Sequence, residues 1–472
     1  MTRACVSDLI KSMLGPKKKV YIKTFGCQMN VADSEQMAQV LADAYAPTDR
    51  PEEADLYLIN TCAIRRKAES KVRSLLGSLQ VLKQRRPHML LGVGGCVAQQ
   101  EGERLLAAVP HLDLVFGAHG ICRLPEMVRR AAQGRRVVDI ELAREFPPQP
   151  RRRWAPGAVK ALVTIMQGCN NFCSFCVVPY VRGREYSRPP REIVTEVADF
   201  LAAGGKEVTL LGQNVNSYGR GLPEPITFTE LLRQIDALPG LARLRFATSH
   251  PRDLSAELIA AFGELPSLCE HLHLPVQSGA DRILQAMNRG YTREDYLQKV
   301  AELRRVCPGL SLSTDIIVGF PGETEEDFQG TMDLVRQAAF DQAFSFKYSP
   351  RPQTRAALLP ERVPAEVQAE RLARLQNLLN ELTFKAHRRL VGRDHEVLVE
   401  GISKRSPEEL CGRLRTNQVV NFSGPRELVG QLVMVRIAEA HPHSLKGIQA
   451  EGCSITWPLA ADPQAPQRRV SC

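Results

Sequence analysis

Three cysteines, Cys169, Cys173 and Cys176, fall in the pattern C-x3-C-x2-C inside GCNNFCSFCVVPY, residues 168–180. Thiolates at this spacing bind zinc or iron, and both usually take four protein ligands. The next cysteine along the chain is Cys269. Three thiolates on a four-iron cubane leave one iron open, and an open iron can chelate a small molecule. A zinc knuckle with a distant fourth ligand is the alternative that the spacing alone leaves open. A second set is dispersed: Cys27 ends VYIKTFGC, Cys62 ends LYLINTC and Cys96 ends LLGVGGC. Taken singly, each of these is a candidate buried hydrophobe. Taken together, all three close a short β-rich run.

The elements that carry these cysteines alternate. In the first ~145 residues, VYIKTFG, DLYLIN, MLLGVGG and LDLVFG read as strands. Between them SEQMAQVLADAY, KAESKVRSLLGSLQVLK and EGERLLAAV read as helices. Strand–helix alternation implies a doubly wound parallel sheet, whose carboxyl strand ends converge on one ligand crevice. Residues 18–145 are the expected first domain and the Pro- and Arg-rich stretch 146–157 a linker. Across 158–387, ALVTIMQG, EVTLLGQ, RLRFATS, HLHLPVQ, LSLSTDIIVGF and AFSFKYS read as six parallel strands with helices between. That is a partial (β/α)6 barrel, and the three-cysteine loop follows its first strand, at the mouth where active residues sit. Residues 388–451 change to short β runs, HEVLVEG, CGRLRTNQVVNF, QLVMVRIAEA and SLKGIQAE. They read as a small closed antiparallel barrel of the oligonucleotide-binding type. Residues 452–472 read as a disordered tail. The fold class is α/β with this β-barrel appended.

Apolar residues make up 44% and charged residues 24%, so the chain is expected to fold and not to be disordered. No apolar run approaches the ~18 residues of a membrane helix, and MTRACVSDLIKSMLGPKKKV lacks the h-region of a signal peptide. A cytoplasmic protein with no membrane association is expected. The thirteen cysteines are then thiols or metal ligands and not a disulfide framework. The net charge of +10 permits a polyanionic partner such as RNA without requiring one.

The central motif, with Phe175 before its last cysteine and its place after a first barrel strand, resembles the radical S-adenosylmethionine enzymes. The motifs TFGCQMN, INTCAIR, GGC, GCNNFCSFCVVPYVRGREYSR, LLGQNVNSYG, HLPVQSG and IVGFPGET together resemble the methylthiotransferases among them, from about Val20 to Glu451. Gln28 and Met29 after the first cysteine, and VEGISKRSPEELCGRLRTNQVVNF, are similar to the branch that acts on N(6)-dimethylallyladenosine. The resemblance implies two 4Fe-4S clusters, a radical one on Cys169, Cys173 and Cys176 and an auxiliary one on Cys27, Cys62 and Cys96. It implies S-adenosyl-L-methionine, cleaved to a radical and also used to methylate sulfur. It implies a methylthio group placed at carbon 2 of a prenylated adenosine beside the tRNA anticodon, position 37. It further implies a terminal TRAM barrel that binds RNA, an electron donor of flavodoxin or ferredoxin type, and a monomer. Two other readings stay open: the same chemistry on threonylcarbamoyladenosine, and a non-catalytic iron–sulfur RNA-binding sensor.

Further residues follow from the motifs. Gln213 sits where many radical enzymes carry Gly-Gly-Glu for the methionine amine, and the glutamate is absent here. Gln277 and Ser278 are offered to cofactor or substrate, and Asp315 or Glu323 to the ribose hydroxyls. Arg182, Arg184 and Arg188, just past the cysteine loop, are candidates for a tRNA phosphate or the methionine carboxylate. Arg413 and Arg415 are candidates for RNA contacts, and Phe422 for the barrel core.

Overall fold

The computed structural model describes residues 17–63, 66–143, 151–155, 157–404, 406–456 and 469–471. They form two compact units, one of the residues up to Arg153 with Val177–Arg184, the other of Trp154–Cys176 and everything from Glu185 on. Of the expected linker 146–157, residues 146–150 and 156 lie outside the described residues. So do 457–468 and 472 of the expected tail, whereas 469–471 pair with the strand ending at Thr456. No helix among the described residues is long and apolar enough to cross a membrane.

In the first unit the order is β1 (Lys18–Thr24), α1 (Gln28–Val40), β2 (Tyr45–Pro47), β3 (Leu56–Thr61), α2 (Arg66–Arg85) and β4 (Leu90–Gly95). There follow α3 (Cys96–Glu101), α4 (Glu103–Ala108), β5 (Leu114–Phe116), α5 (Leu124–Ala132) and β6 (Val137–Asp139). The sheet order is β2-β1-β3-β4-β5-β6, and every pairing is parallel. β1 has β2 on one side and β3 on the other, so the chain reverses direction across the sheet there, which opens a crevice at the carboxyl ends of β1 and β3. Alternate residues serve opposite faces, as a period of two demands. Leu56 and Leu58 pack with Met37 and Met127, while Tyr57 and Ile59 pack with Val72, Leu76 and Leu79. Helices therefore cover both faces, as the alternation predicted. The edge strands β2 and β6, three residues each, were too short to carry a period.

The second unit begins with β7 (Lys160–Thr164) and the short β8 (Met166–Gln167); α6 (Val178–Val181) belongs to the first unit, and β9 (Tyr186–Ser187) returns to pair with β8. Then come α7 (Pro190–Ala202), β10 (Glu207–Leu211), α8 (Phe228–Asp236), β11 (Arg243–Phe246), α9 (Ala256–Glu264) and β12 (His271–His273). The run continues through α10 (Asp281–Ala286), α11 (Arg293–Val306), β13 (Ser311–Val318), α12 (Glu325–Ala338), β14 (Gln342–Lys347) and α13 (Ala365–Arg388). Two parallel sheets, β11-β10-β7 and β12-β13-β14, meet through a parallel bridge between Leu244 and Leu268. The result is the expected open arc of six strands.

β15 (Asp394–Ile402), β16 (Glu409–Leu414), β17 (Val419–Ser423), β18 (Leu432–Ala440) and β19 (Leu445–Thr456) make the C-terminal barrel, with β20 (Arg469–Ser471) at its edge. CGRLRTNQVVNF, read as one run, is two strands, because Asn417 takes a φ of +75° and turns the chain. Closure is through a parallel pairing of β17 with β19, not an antiparallel one. Phe422 is fully buried in this barrel, as expected. Arg243, also fully buried, ties β11 to it: it reaches Glu396 at 3.1 Å and the Arg413 carbonyl at 2.7 Å.

Candidate metal centres

In the first unit the three cysteines stand where parallel strands end. Cys27 caps α1 three residues past β1, Cys62 follows β3 directly, and Cys96 opens α3 directly after β4. Two of these ends, those of β1 and β3, flank the switch crevice. Asn30 Oδ1 accepts from Cys27 N at 3.2 Å and from its Sγ at 3.4 Å, and Asn30 Nδ2 donates to the Thr61 carbonyl at 3.0 Å. One buried amide thus joins the Cys27 and Cys62 loops. Gly26 takes a φ of +134°, and a Cβ there would lie 2.2 Å from Asn30 Oδ1 and 2.6 Å from the Cys62 Cβ. Only glycine lets the two loops approach so closely. A hydrogen bond with the Cys62 thiol and the Arg182 guanidinium hold the Cys27 thiol down at about 6. Arg182 Nε donates to Cys96 Sγ at 3.3 Å, and its terminal nitrogens grip Asp33 at 3.3 and 2.5 Å.

In the second unit the cysteines share one loop after β8. Gly168 and Phe172 take positive φ, +80° and +47°, which coils the loop tightly. Gln213, from the end of β10, accepts from Gly168 N at 2.5 Å and so pins the loop's start. Cys169 Sγ accepts from Asn171 N at 3.5 Å, and burial pushes this thiol up to about 11. Cys173 Sγ accepts from Arg289 Nη1 at 3.3 Å and has His250 Nε2 at 3.9 Å. Burial and the charges of Arg289 and Arg252 hold His250 down at about 2, so its imidazole is neutral.

Among the described residues, no three His, Cys, Asp or Glu side chains close on a single metal ion. A zinc knuckle needs such a closure. A cubane does not, since each thiolate binds a different corner of the cube. The donor sets suit a cluster: three thiols each, with a guanidinium that donates to sulfur. Near the second set, Asn214 Oδ1, Ser249 Oγ and both amide atoms of Asn216 are buried without partners. Val215 N bonds the Thr248 carbonyl at 3.1 Å and so brings these loops together. Buried polar atoms left unmatched call for a polar ligand, which fits an amino-acid-bearing cofactor.

Several expected residues have other work. Glu323 is buried, accepting from Gly319 N at 2.7 Å and Arg371 at 2.9 Å, so it staples a loop to α13 and has no face for a ribose. Ser278 is fully buried against Thr331 at 3.4 Å. Arg182 is spent on Asp33 and Cys96, and buried Arg188 on Glu196 at 2.8 Å and the Thr164 carbonyl at 2.8 Å, so neither is offered to a phosphate. Arg415 clasps Glu270 at 2.9 Å and the carbonyls of Pro266 and Leu268, a structural joint. Arg184 is exposed, and Arg413 is partly exposed while bonding Glu400 at 3.1 Å. Gln277 takes a φ of +73° and bonds Asp315 and Ile317 through its backbone. Asp315 is part-exposed, 3.5 Å from His273 Nε2. Asp33, Asn214, Asn216, Ser249, His250 and Arg289 were not singled out from sequence. The asparagines stand in the quoted LLGQNVNSYG, where they were an available signal; the others had none.

Residues 19–117 match the Uncharacterized protein family UPF0004, 163–335 the Radical SAM superfamily and 388–449 the TRAM domain. The chain is 54% identical over 437 residues to the tRNA-2-methylthio-N(6)-dimethylallyladenosine synthase of Geobacter metallireducens, covering 91% of this chain and 98% of that one. It is 50% identical over 434 residues to the enzyme of the same name from Syntrophus aciditrophicus, with 91% and 94% covered. The chain belongs to the tRNA-2-methylthio-N(6)-dimethylallyladenosine synthase family. Among solved structures, the radical S-adenosylmethionine methyltransferase TsrM from Kitasatospora setae, with cobalamin and a 4Fe-4S cluster bound, is similar in fold. Its TM-score is 0.54 at 14% identity, with 73% of this chain and 74% of that chain covered. As a member of the synthase family, the chain has its two cysteine triads one in the UPF0004 match and one in the Radical SAM match.

Proposed function

We infer that this protein is a radical S-adenosylmethionine enzyme that places a methylthio group at carbon 2 of N(6)-dimethylallyladenosine, position 37, in tRNA. The observation that carries this reading is a cysteine triad in each unit, at three strand ends in the first and in one loop after β8 in the second, in a chain 54% identical to a synthase of that name. Cys27, Cys62 and Cys96 hold the auxiliary 4Fe-4S cluster, and Cys169, Cys173 and Cys176 the radical one. When bound, the clusters supply a sulfur site and a one-electron route to radical cleavage of S-adenosyl-L-methionine, chemistry that belongs to the cofactor.

The chain's residues position these groups. Asn30 fixes the Cys27 loop against the Cys62 loop, Arg182 orients Cys96, and Gln213 fixes the start of the second loop. Asn214, Asn216 and Ser249 would offer their unmatched polar atoms to S-adenosylmethionine, and part-exposed Asp315 would offer its carboxylate to the ribose. Phe344 and Phe346 of β14 are exposed on the sheet face that also carries Asp315 of β13 and His273 of β12, while Leu272, Leu312 and Ile316 fill the core on the opposite face. Apolar rings laid bare on an inner barrel face suit a flat, prenylated base. Domain by domain, 18–145 carries the auxiliary site, 146–157 the linker and 158–387 the radical site, and 388–451 binds RNA with the charge of Arg413, while exposed Arg184 adds charge in the first unit. The electron donor is of flavodoxin or ferredoxin type, the protein works as a monomer, and tRNA as substrate puts it in the cytoplasm.

The test is anaerobic turnover with three tRNAs: prenylated, unprenylated and threonylcarbamoylated. Methylthiolation of the prenylated one alone is expected. Preference for the threonylcarbamoylated substrate would move the enzyme to the neighbouring branch, and absence of 5′-deoxyadenosine with all three would leave only an RNA-binding sensor.

A further inference from the structure

Each triad has one buried arginine that donates to one of its sulfurs, and the two arginines differ in what balances their charge. At the first, Arg182 meets Cys96 Sγ at 3.3 Å and Asp33 with both terminal nitrogens. Asp33 offsets part of the guanidinium's charge, so less of it acts on the site than an unpaired arginine would supply. At the second, Arg289 meets Cys173 Sγ at 3.3 Å, the Tyr291 hydroxyl at 2.9 Å and the Pro275 carbonyl at 2.6 Å. Tyr291 and Pro275 are neutral partners, and no carboxylate among the described residues pairs with Arg289.

The other charges at the second site do not cancel it. Asp253 is met by Arg220 at 2.9 Å and Arg252 at 3.5 Å. Burial pushes the Glu185 carboxyl up, toward its neutral form. A second donor acts with Arg289: His250 Nδ1 accepts from Arg252 N at 3.2 Å, which leaves the ring proton on Nε2, the nitrogen 3.9 Å from Cys173 Sγ.

We propose that the unpaired charge of Arg289 raises the reduction potential of the Cys169–Cys173–Cys176 site above that of the other triad. This rests on the reading that both triads hold clusters. The step transfers one electron from a low-potential flavin or iron–sulfur reductant to the cluster. The reductant is oxidised by one electron, and no bond forms or breaks. The added charge sits beside Cys173, where a buried cation stabilises it in a medium of low dielectric. Hydrogen bonds to sulfur and net charge are established levers on cluster potential. At the other site Asp33 offsets part of that stabilisation. Arg289 is thus a positioning residue that acts through Cys173.

The experiment is a dithionite titration of the iron-loaded, anaerobic protein, with mediators and an EPR readout, in the absence of S-adenosylmethionine. Signals are assigned with the Cys27→Ala/Cys62→Ala/Cys96→Ala variant. The Cys169 site is expected to be reduced first in the parent protein, an order that needs no charge variant to observe. Arg289→Gln should lower the reduced-to-oxidised ratio of that site about tenfold at fixed potential, about 59 mV for a one-electron couple, and Arg289→Lys should restore most of it. Asp33→Asn should raise the ratio at the other site, and it carries the comparison if Arg289→Gln fails to bind iron. Equal midpoints in the parent, or a fully iron-loaded Arg289→Gln with an unchanged midpoint, overturns the proposal. An iron content for only one cluster is a different result, which overturns the two-cluster reading beneath it.

Discussion

The two cysteine triads use the same ligand and both follow strand ends, those of parallel strands in the first unit and that of β8, paired antiparallel with β9, in the second, yet the chain delivers them differently. Cys27, Cys62 and Cys96 come from three strands of one sheet, so their separation is set by strand spacing and by the buried Asn30. Cys169, Cys173 and Cys176 come from one coiled loop, held by contacts reaching in from distant elements, Gln213 and Arg289. The first site is built into a sheet, and the second is assembled from side chains around a loop. A sheet-built site suits a group that is held for its sulfur. A loop with unmatched polar atoms beside it suits a group that must also bind and release a cofactor.

The largest effect that sharpens this comparison is a split of function. Cys169→Ala should abolish both 5′-deoxyadenosine formation and thiolation, whereas Cys27→Ala should abolish thiolation and leave cleavage of S-adenosylmethionine in place. Chromatography of both products from one anaerobic reaction checks it. Full thiolation by Cys27→Ala would erase the distinction between the sites.

A smaller contrast lies in stability of the iron-free protein. Asp33→Ala strands a buried guanidinium, which costs about 3–5 kcal/mol. Arg289→Met strands no carboxylate and leaves only a carbonyl short of a donor, since the Tyr291 hydroxyl also donates to the Val276 carbonyl at 2.8 Å. That costs about 1–3 kcal/mol. Urea unfolding of the two variants should rank them in that order, and the reverse ranking would mean that Arg289 has a hidden counter-charge.

The smallest contrast concerns the backbone. Gly26→Ala forces a Cβ into Asn30 and Cys62 at a φ of +134°, so a loss of about 1–3 kcal/mol and poorer iron uptake at the first site are expected. Phe172→Gly relieves a left-handed residue while loosening the unfolded chain, two effects of about 1 kcal/mol that oppose each other. Near-zero change is expected there, read by the same unfolding curves.

Cys27, Cys62 and Cys96 were legible in sequence because each ends a run whose period of two or apolar continuity marks a strand, and Cys169, Cys173 and Cys176 because their C-x3-C-x2-C spacing sets them in one loop. The partners were not legible, because the fold and not the spacing brings them in. Arg182 lies 86 residues from Cys96, and Arg289 lies 116 from Cys173. The arginines after the cysteine loop read as a basic run, yet Arg182 and Arg188 turn inward onto Asp33 and Glu196, carboxylates whose direction the sequence does not give. Glu323 read as a ribose ligand for the same reason: its partner Arg371 is on α13, 48 residues away. α1 starts six residues before SEQMAQVLADAY, because Cys27 and Asn30, not a serine or aspartate, cap it. Local rules worked better elsewhere, as where Thr324 caps α12 with Asp327 three residues on.

The central claim is that one chain holds two clusters, each on three thiolates. Iron and acid-labile sulfide per chain after anaerobic reconstitution test it most directly. About eight irons and eight sulfides are predicted, roughly four per triad. About four of each would contradict the account, leaving Cys27, Cys62 and Cys96 as structural thiols and the enzyme without its sulfur site.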